Sequence, residues 1–322
     1  MGLLAKVKKQ QMQTAMGDPS GIIDPSAPSM SGNPPNAFLN VPPPANLSYI
    51  AERLHSTIME NQLQAWYGTD HIRSLSERLN TINFERLRRE WKIHGDLIFD
   101  LVSLALYDVV FYIDDSGSMA FEEDGDRIND LELILVKCAA VTSLFDNDGI
   151  QLYFMNSQLV VHGVSTAEHV KEALSKVRFS GMTPLGTQFK TKVLEPLVVA
   201  PARNGTLTKP VLTVIVTDGE PTREPIDTLR DAIVEAKGFL STTGYGPGAF
   251  AVQIGQVGTD LKAQQFLARI DSDPVVGGMV DCTSNYEMES EEMSAKGVEL
   301  SPELWLLKLC VGAIDQSYDD VD

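Results

Sequence analysis

Between Tyr107 and Cys282 the sequence alternates runs that only a strand buried on both faces can use with stretches of helical period, and this alternation dictates the fold class. "DVVFYID" (108–114), "IQLYFM" (150–155), "PVLTVIVTD" (210–218) and "GAFAVQIGQ" (248–256) are near-continuous apolar runs. Successive side chains of a strand point to opposite faces, so such runs have no polar face to offer water and need cover on both sides. Amphipathic stretches separate them: Ile128 to Phe145, Ala167 to Val177, Gly186 to Leu197, Ile226 to Leu240 and Leu261 to Ile270. These read as crossover helices, and the chain is expected to be α/β, a doubly wound, mostly parallel six-stranded sheet flanked by helices. "QLVVHG" (158–163) follows its predecessor too closely for a crossover and reads as a hairpin edge strand. "GGMVDC" (277–282) is the last strand, and a helix over 302–314 closes the chain.

Upstream the pattern is helical. Ile50, Leu54 and Ile58 recur every four residues, followed by Ile72, Leu75, Leu79 and Ile82, then Phe84, Leu87 and Trp91. Each stripe must be covered, so a helical lead-in over 46–105 is expected to pack on a neighbour. Residues 1–45 are read as a disordered leader, because 17–45 are rich in Pro, Gly, Ser and Asn. A membrane-surface anchor over residues 3–13 is the weaker reading of its first part. The expected domains are thus 1–45, 46–105, the α/β unit over 106–282, and an acidic segment with the C-terminal helix over 283–322.

The formal charge of −18 over 322 residues repels nucleic acid phosphate and anionic lipid, so no nucleic acid partner is expected. Three cysteines, Cys138, Cys282 and Cys310, are too scattered for a disulfide framework or a zinc site and favour a reducing compartment. No run approaches the ~18 apolar residues of a membrane span, and no signal peptide is visible, so a cytoplasmic location is expected. Cys138 reads as a small buried hydrophobe, and Trp66, Trp91 and Trp305 as core residues.

The apolar run that ends at Ile113 passes into "DDSGSMAF" (114–121), and three chemistries compete for those oxygens. Asp115-Ser116-Gly117 resembles the serine loop of trypsin-like enzymes, and Gly117-Ser118-Met119-Ala120 the nucleophile helix of subtilisins. Subtilisin-like catalysis draws its Asp, His and Ser from three separate elements, whereas this Asp and Ser share one turn. No Gly-x-Ser-x-Gly elbow occurs, and His162 and His169 fall in the edge hairpin and at a helix start. The chain is therefore expected not to be an enzyme. The third chemistry is a metal site: Asp114, Ser116 and Ser118 alternate as Asp-x-Ser-x-Ser at the carboxyl end of the first strand. Asp218 sits at the carboxyl end of another strand, and "SGMTPLGT" (180–187) supplies Thr183 and Thr187 from a turn before a helix. Ligands of open parallel sheets bind at the carboxyl ends of strands, near the switch in strand order. Carboxylates and hydroxyls without His or Cys suit a hard cation, Mg²⁺ first, with Ca²⁺ or Mn²⁺ as alternatives.

In that order "DDSGSM", "GMTPLGT" and "VTDGEPT" resemble the three segments of the metal-ion-dependent adhesion site of von Willebrand factor A domains, over about residues 107–282. The resemblance implies a Rossmann-like fold and assigns metal-holding roles to Asp114, Ser116, Ser118, Thr183 and Asp218. In that family the equivalents of Ser116, Ser118 and Thr183 reach the metal directly or through water, and one aspartate often acts through water. The lead-in and the "PELWLLKL" tail are similar to intracellular, mostly fungal proteins with a lone A domain. The expected function is a binding module whose metal captures an Asp or Glu side chain of a partner protein. The competing expectation is a structural or scaffold protein, whose metal only pins loops and whose contacts are made by the helical lead-in or the acidic tail. "FEEDGDRIND" (121–130) reads as an acidic helix N-terminus in preference to a second calcium site. "DNDG" (146–149) reads as a turn and not the start of an EF-hand loop.

Overall fold

A computed structural model describes residues 3–15, 44–93, 95–277 and 280–318. Six strands form one sheet: β1 (Asp108–Ile113), β2 (Ile150–Phe154), β3 (Val160–Val164), β4 (Val211–Thr217), β5 (Phe250–Gln256) and β6 (Val280–Thr283). Their order is β3-β2-β1-β4-β5-β6, with only β3 antiparallel. This is the Rossmann-like α/β fold expected from the alternation of elements, with the order reversing between β1 and β4. Every residue of β4 and β5 is buried, as continuous apolar runs require. The edge strand β3 is largely exposed and carries His162, which meets Gln151 of β2 at 3.0 Å.

Ahead of the sheet come α1 (Leu3–Ala15), α2 (Pro44–Glu60), α3 (Thr69–Leu79) and α4 (Phe84–Trp91), then a 3-10 segment over Gly95–Leu106. After β1 follow the short α5 (Gly117–Phe121) and the long α6 (Asp126–Phe145). α7 (Ala167–Ser175) and α8 (Leu185–Phe189) come next. Past α8 the helix widens to π geometry over Lys190–Val199 and then forms the short α9 (Ala200–Arg203). Pro196 lies inside the widened stretch, and its missing N–H and its ring are a physical reason for the register change. The remaining helices are α10 (Thr228–Ser241), α11 (Leu261–Asp271), α12 (Tyr286–Ala295) and α13 (Pro302–Val311). The stretch read only as an acidic segment is thus mostly α12, which starts on an Asn285 cap that accepts from the Met288 amide.

The lead-in is not a separate unit. Ile50, Leu54, Ile58, Leu79, Phe84 and Leu87 pack in one continuous core with Phe111 and Ile113 of β1, with α6, and with Leu307 and Leu309 of α13. The other face of the sheet is covered by α8, the π stretch, α10 and α11. The boundary expected at 105/106 therefore runs through a core. Trp91 and Trp305 lie in this core, and Trp66, half-buried, stacks on Tyr245.

The reading of residues 1–45 as a disordered leader needs correction at its start. Leu3–Ala15 is helical, and Leu3, Leu4 and Val7 are buried in the main core, so this stripe faces the chain's own interior. Each such side chain contributes about 1.5–3 kcal/mol on burial. Residues 16–43 of that leader lie outside the described residues.

Electrostatics completes the closure. Lys6 Nζ lies 2.8 Å from Asp100 and 3.2 Å from Asp315, and stands 3.6 Å over the Tyr318 ring. Arg53 pairs with the same two aspartates, and the Tyr318 hydroxyl donates to Asp100 at 2.6 Å. One cluster thus ties α1, α2, the 3-10 segment and the C-terminal tail. Burial works to raise Asp315, but Lys6 and Arg53 overcome it and hold its carboxyl below the ordinary value. Removing one partner of a buried ion cluster strands the others. Asp315→Ala is expected to lower stability by about 3 kcal/mol, read as a fall in the urea midpoint. A depressed carboxyl contributes stability above its unfolded value that is lost as pH falls through its folded one. The variant's stability should accordingly decline less steeply in acid than that of the parent.

Candidate functional site

The pairing of β1 with β4 is parallel and in register from Asp108↔Val211 to Ile113↔Val216. The ladder continues one step, with the Asp114 amide donating to Val216 O at 2.9 Å, so the two carboxyl ends finish side by side. That register places Asp114 and Asp218 at the switch point. Both are buried, at 0% and 1% exposed, as are Ser116 and Thr183, while Ser118 is half-buried.

Hydrogen bonds connect these residues in a chain. Asp114 Oδ1 accepts from the Ser116 amide at 2.9 Å, and its Oδ2 accepts from the Thr217 hydroxyl at 2.7 Å. Ser116 Oγ and Ser118 Oγ are 3.0 Å apart, and Ser118 Oγ donates to Asp218 Oδ1 at 3.0 Å. The alternation Asp-x-Ser-x-Ser does this because Ser116 stands at the N-cap of α5 in extended conformation and Ser118 is the second residue of that helix, within its first turn. Thr183 joins through backbone: its amide donates to Thr222 Oγ1 at 2.7 Å, and its carbonyl accepts from the Thr222 amide at 2.9 Å. Glu224 strengthens the same tie by accepting from the Gly186 and Thr187 amides at 2.7 and 2.9 Å. Gly186 has to be glycine here, since a Cβ would stand 2.3 Å from the Leu229 amide. Thr187 is exposed and spends its amide on Glu224.

Four residues outside the expected set hold the loops. Asp115 turns away from the oxygen cluster and accepts from the Asn156 and Ser157 amides at 2.6 and 2.8 Å, pinning the loop after β2. Lys192 donates to the carbonyls of Phe154, Met155 and Ser157, closing the end of β2. Thr217 supports Asp114, as above. Arg127, at the start of α6, donates to Asp218 Oδ2 at 2.6 Å and also meets Glu122 at 2.8 Å and Glu123 at 3.0 Å. Glu122 and Glu123 therefore serve neither as a bare helix N-terminus nor as a separate cluster. The Glu123 to Arg127 spacing of one helical turn was the available signal.

The electrostatics follow from crowding two carboxylates in a dry place. Burial first, and the Asp218 charge second, push Asp114 up to about 7. Burial also raises Asp218, against the pull of Arg127 and Ser118. The grouped donors are carboxylate and hydroxyl oxygens with no His or Cys, a set that could hold a hard cation and would supply a bound anion with a Lewis-acidic partner. A different acidic group, Asp108, Asp146 and Asp148, lies at the opposite end of β1. Lys209 already stands within it, 2.9 Å from Asp146 and 3.4 Å from Asp108. Residues 146–149 form the turn expected from their sequence, with Gly149 at φ +67.

A raised carboxyl stabilises the fold below its unfolded value near 3.8, and that contribution is lost as pH rises through the folded value near 7. In a chelating buffer the protein is therefore expected to lose on the order of 2 kcal/mol between about pH 5 and pH 8. Thermal melts at fixed ionic strength check this, and Asp114→Asn should flatten the slope.

Among the described residues no helix is long and apolar enough to cross a membrane. No protein-family model matches the chain, and no curated protein matches it. Among solved structures the chain is similar to proximal thread matrix protein 1 from the mussel byssus, at 18% identity and a TM-score of 0.41. The match covers 66% of this chain and 48% of that one, so the chain spans about half the length of that protein.

Proposed function

We propose that the protein is a divalent-metal-dependent protein-binding module of the von Willebrand factor A type. In this reading Asp114, Ser116, Ser118, Thr183 and Asp218 hold the ion, Mg²⁺ first among the candidates, and a partner's Asp or Glu completes its shell. The observation that carries the reading is the hydrogen-bonded chain that runs from Asp114, through the Ser116 amide and the Ser116 and Ser118 hydroxyls, to Asp218 across the β1/β4 switch point. When bound, the ion would supply Lewis acidity toward a carboxylate. The protein's own part is to present hydroxyls, which leave the ion's charge incompletely compensated, and to keep the loops in place through Thr217, Thr222, Glu224 and Asp115. The ligands are drawn from three loops, so the site exists only in the folded chain and metal is expected to stabilise it by mass action.

The scaffold reading draws less support. The apolar stripe of the lead-in, which a scaffold would offer to others, packs on this chain's own sheet. A cytoplasmic setting is supported by a count of three cysteines, too low for a disulfide framework, although Cys138 Sγ and Cys310 Sγ lie 3.4 Å apart in the fold, and the charge of −18 supports a protein partner over nucleic acid.

Isothermal titration of metal-stripped protein with Mg²⁺, Mn²⁺ and Ca²⁺ tests the reading. Saturable binding that disappears in Asp114→Ala is expected, together with a rise in melting temperature on adding metal to the parent only. Partner capture should fail in EDTA and in Asp114→Ala alike. Capture that survives both would mean that the metal serves the loops and the contacts lie elsewhere.

A further inference from the structure

We infer that Arg127 is an internal counter-cation of this site. It weakens the hold on a divalent ion and keeps Asp218 from satisfying that ion, leaving the coordination shell open to a carboxylate from outside. The inference rests on the metal reading proposed above and adds a residue that no part of the Asp-x-Ser-x-Ser, Thr and Asp pattern specifies.

Three observations carry it. First, the Arg127 side chain is only 4% exposed, and its Nη1 lies 2.6 Å from Asp218 Oδ2, a short charge-assisted contact with a proposed ligand. Asp218 Oδ1 is already engaged by Ser118, so both of its oxygens are committed inside the chain. Second, the guanidinium is held from its far side by Glu122 and Glu123, and Glu123 also accepts from the Thr259 amide and hydroxyl at 3.1 and 3.0 Å. The arginine is therefore built in and does not merely rest on the surface near the site. Third, the space for it is reserved: a Cβ on Gly258, at φ +73, would stand 2.4 Å from Arg127 Nε. That Nε is buried with no partner among the described residues, so the arginine is placed for charge more than for a complete set of hydrogen bonds.

The consequence is a competition between cations. A guanidinium and a divalent ion both draw on the Asp218 charge and repel each other in a poorly screened place. The Arg127 guanidinium, set among the carboxylates of Asp114, Asp218, Glu122 and Glu123, leaves the site less negative by one charge than those carboxylates alone would make it. A dipositive ion held there retains more of its charge for a carboxylate from a partner. The arginine fork also links the first loop, through Glu122 and Glu123, to the loop after β5, through Thr259. Anything that draws Asp218 toward an ion therefore pulls on both.

The test is isothermal titration of metal-stripped parent, Arg127→Gln and Arg127→Lys with Mg²⁺ and Mn²⁺, with thermal melts to establish folding. Gln removes the charge and keeps a donor for Asp218; Lys keeps the charge. Arg127→Gln is expected to bind Mg²⁺ about tenfold tighter or more, and Arg127→Lys to stay within about threefold of the parent. A purely structural arginine would give the opposite sign, a loss of affinity in both. Equal or weaker binding by folded Arg127→Gln, with binding in the parent, overturns this inference and leaves the metal reading intact. Absence of binding in the parent and in Arg127→Gln alike overturns the metal reading itself. Binding in Arg127→Gln alone would support the inference in its strongest form. Should Arg127→Gln fail to fold, the Arg127 Nε–H resonance of the parent serves instead: it is expected to shift on Mg²⁺ saturation, and an unmoved resonance under saturating metal overturns the proposal.

Discussion

The parallel register between β1 and β4 is the constraint on which the rest of this structure depends. Six paired positions bring two strands to the same end of the sheet, where each finishes in an aspartate. Because the connections of β1 and β4 leave to opposite sides of the switch point, their loops face each other there. Two carboxylates are thereby buried near each other, an arrangement that a folded chain tolerates only with compensation. Hydrogen bonds from Ser116 and Thr217 compensate Asp114, and Ser118 with Arg127 compensates Asp218. The raised pKa of Asp114 is what remains uncompensated, and a cation would complete it.

Those loops are held from three directions by groups outside the cluster of Asp114 and Asp218. Asp115 anchors the loop after β2, Glu224 and Thr222 tie the Thr183 turn to the Asp218 loop, and Glu123 reaches Thr259 beyond β5. Below them, the core on one face of the sheet runs from α2 through β1 to α13. The ion cluster of Lys6, Arg53, Asp100 and Asp315 fastens both ends of the described chain to that core. The helical lead-in is thus part of the platform that keeps β1 in place, and through β1 it bears on the position of Asp114.

The architecture was legible because burial on both faces leaves a mark that needs no partner to be read: four continuous apolar runs separated by amphipathic stretches. The edge strand was legible from the shortness of its connection, and the Asp-x-Ser-x-Ser loop from its place at a strand end. The helix over Leu3–Ala15 is hard to read from sequence because Leu3, Leu4 and Val7 give a stripe too short to stand out beside the Pro-rich stretch that follows. The π register over Lys190–Val199 was hidden inside an amphipathic pattern, although Pro196 was a visible warning.

What the sequence by itself determined was the order and type of the elements and the identity of the oxygens at the strand ends, because period and composition are local properties. Only the tertiary structure decided which charges meet. Arg127 lies 91 positions from Asp218, Lys6 lies 309 from Asp315, and Asp115 lies 41 from Asn156. Pairings of that separation are set by how strands register and helices cross, and the residues involved look like ordinary surface charges until the fold removes the water around them.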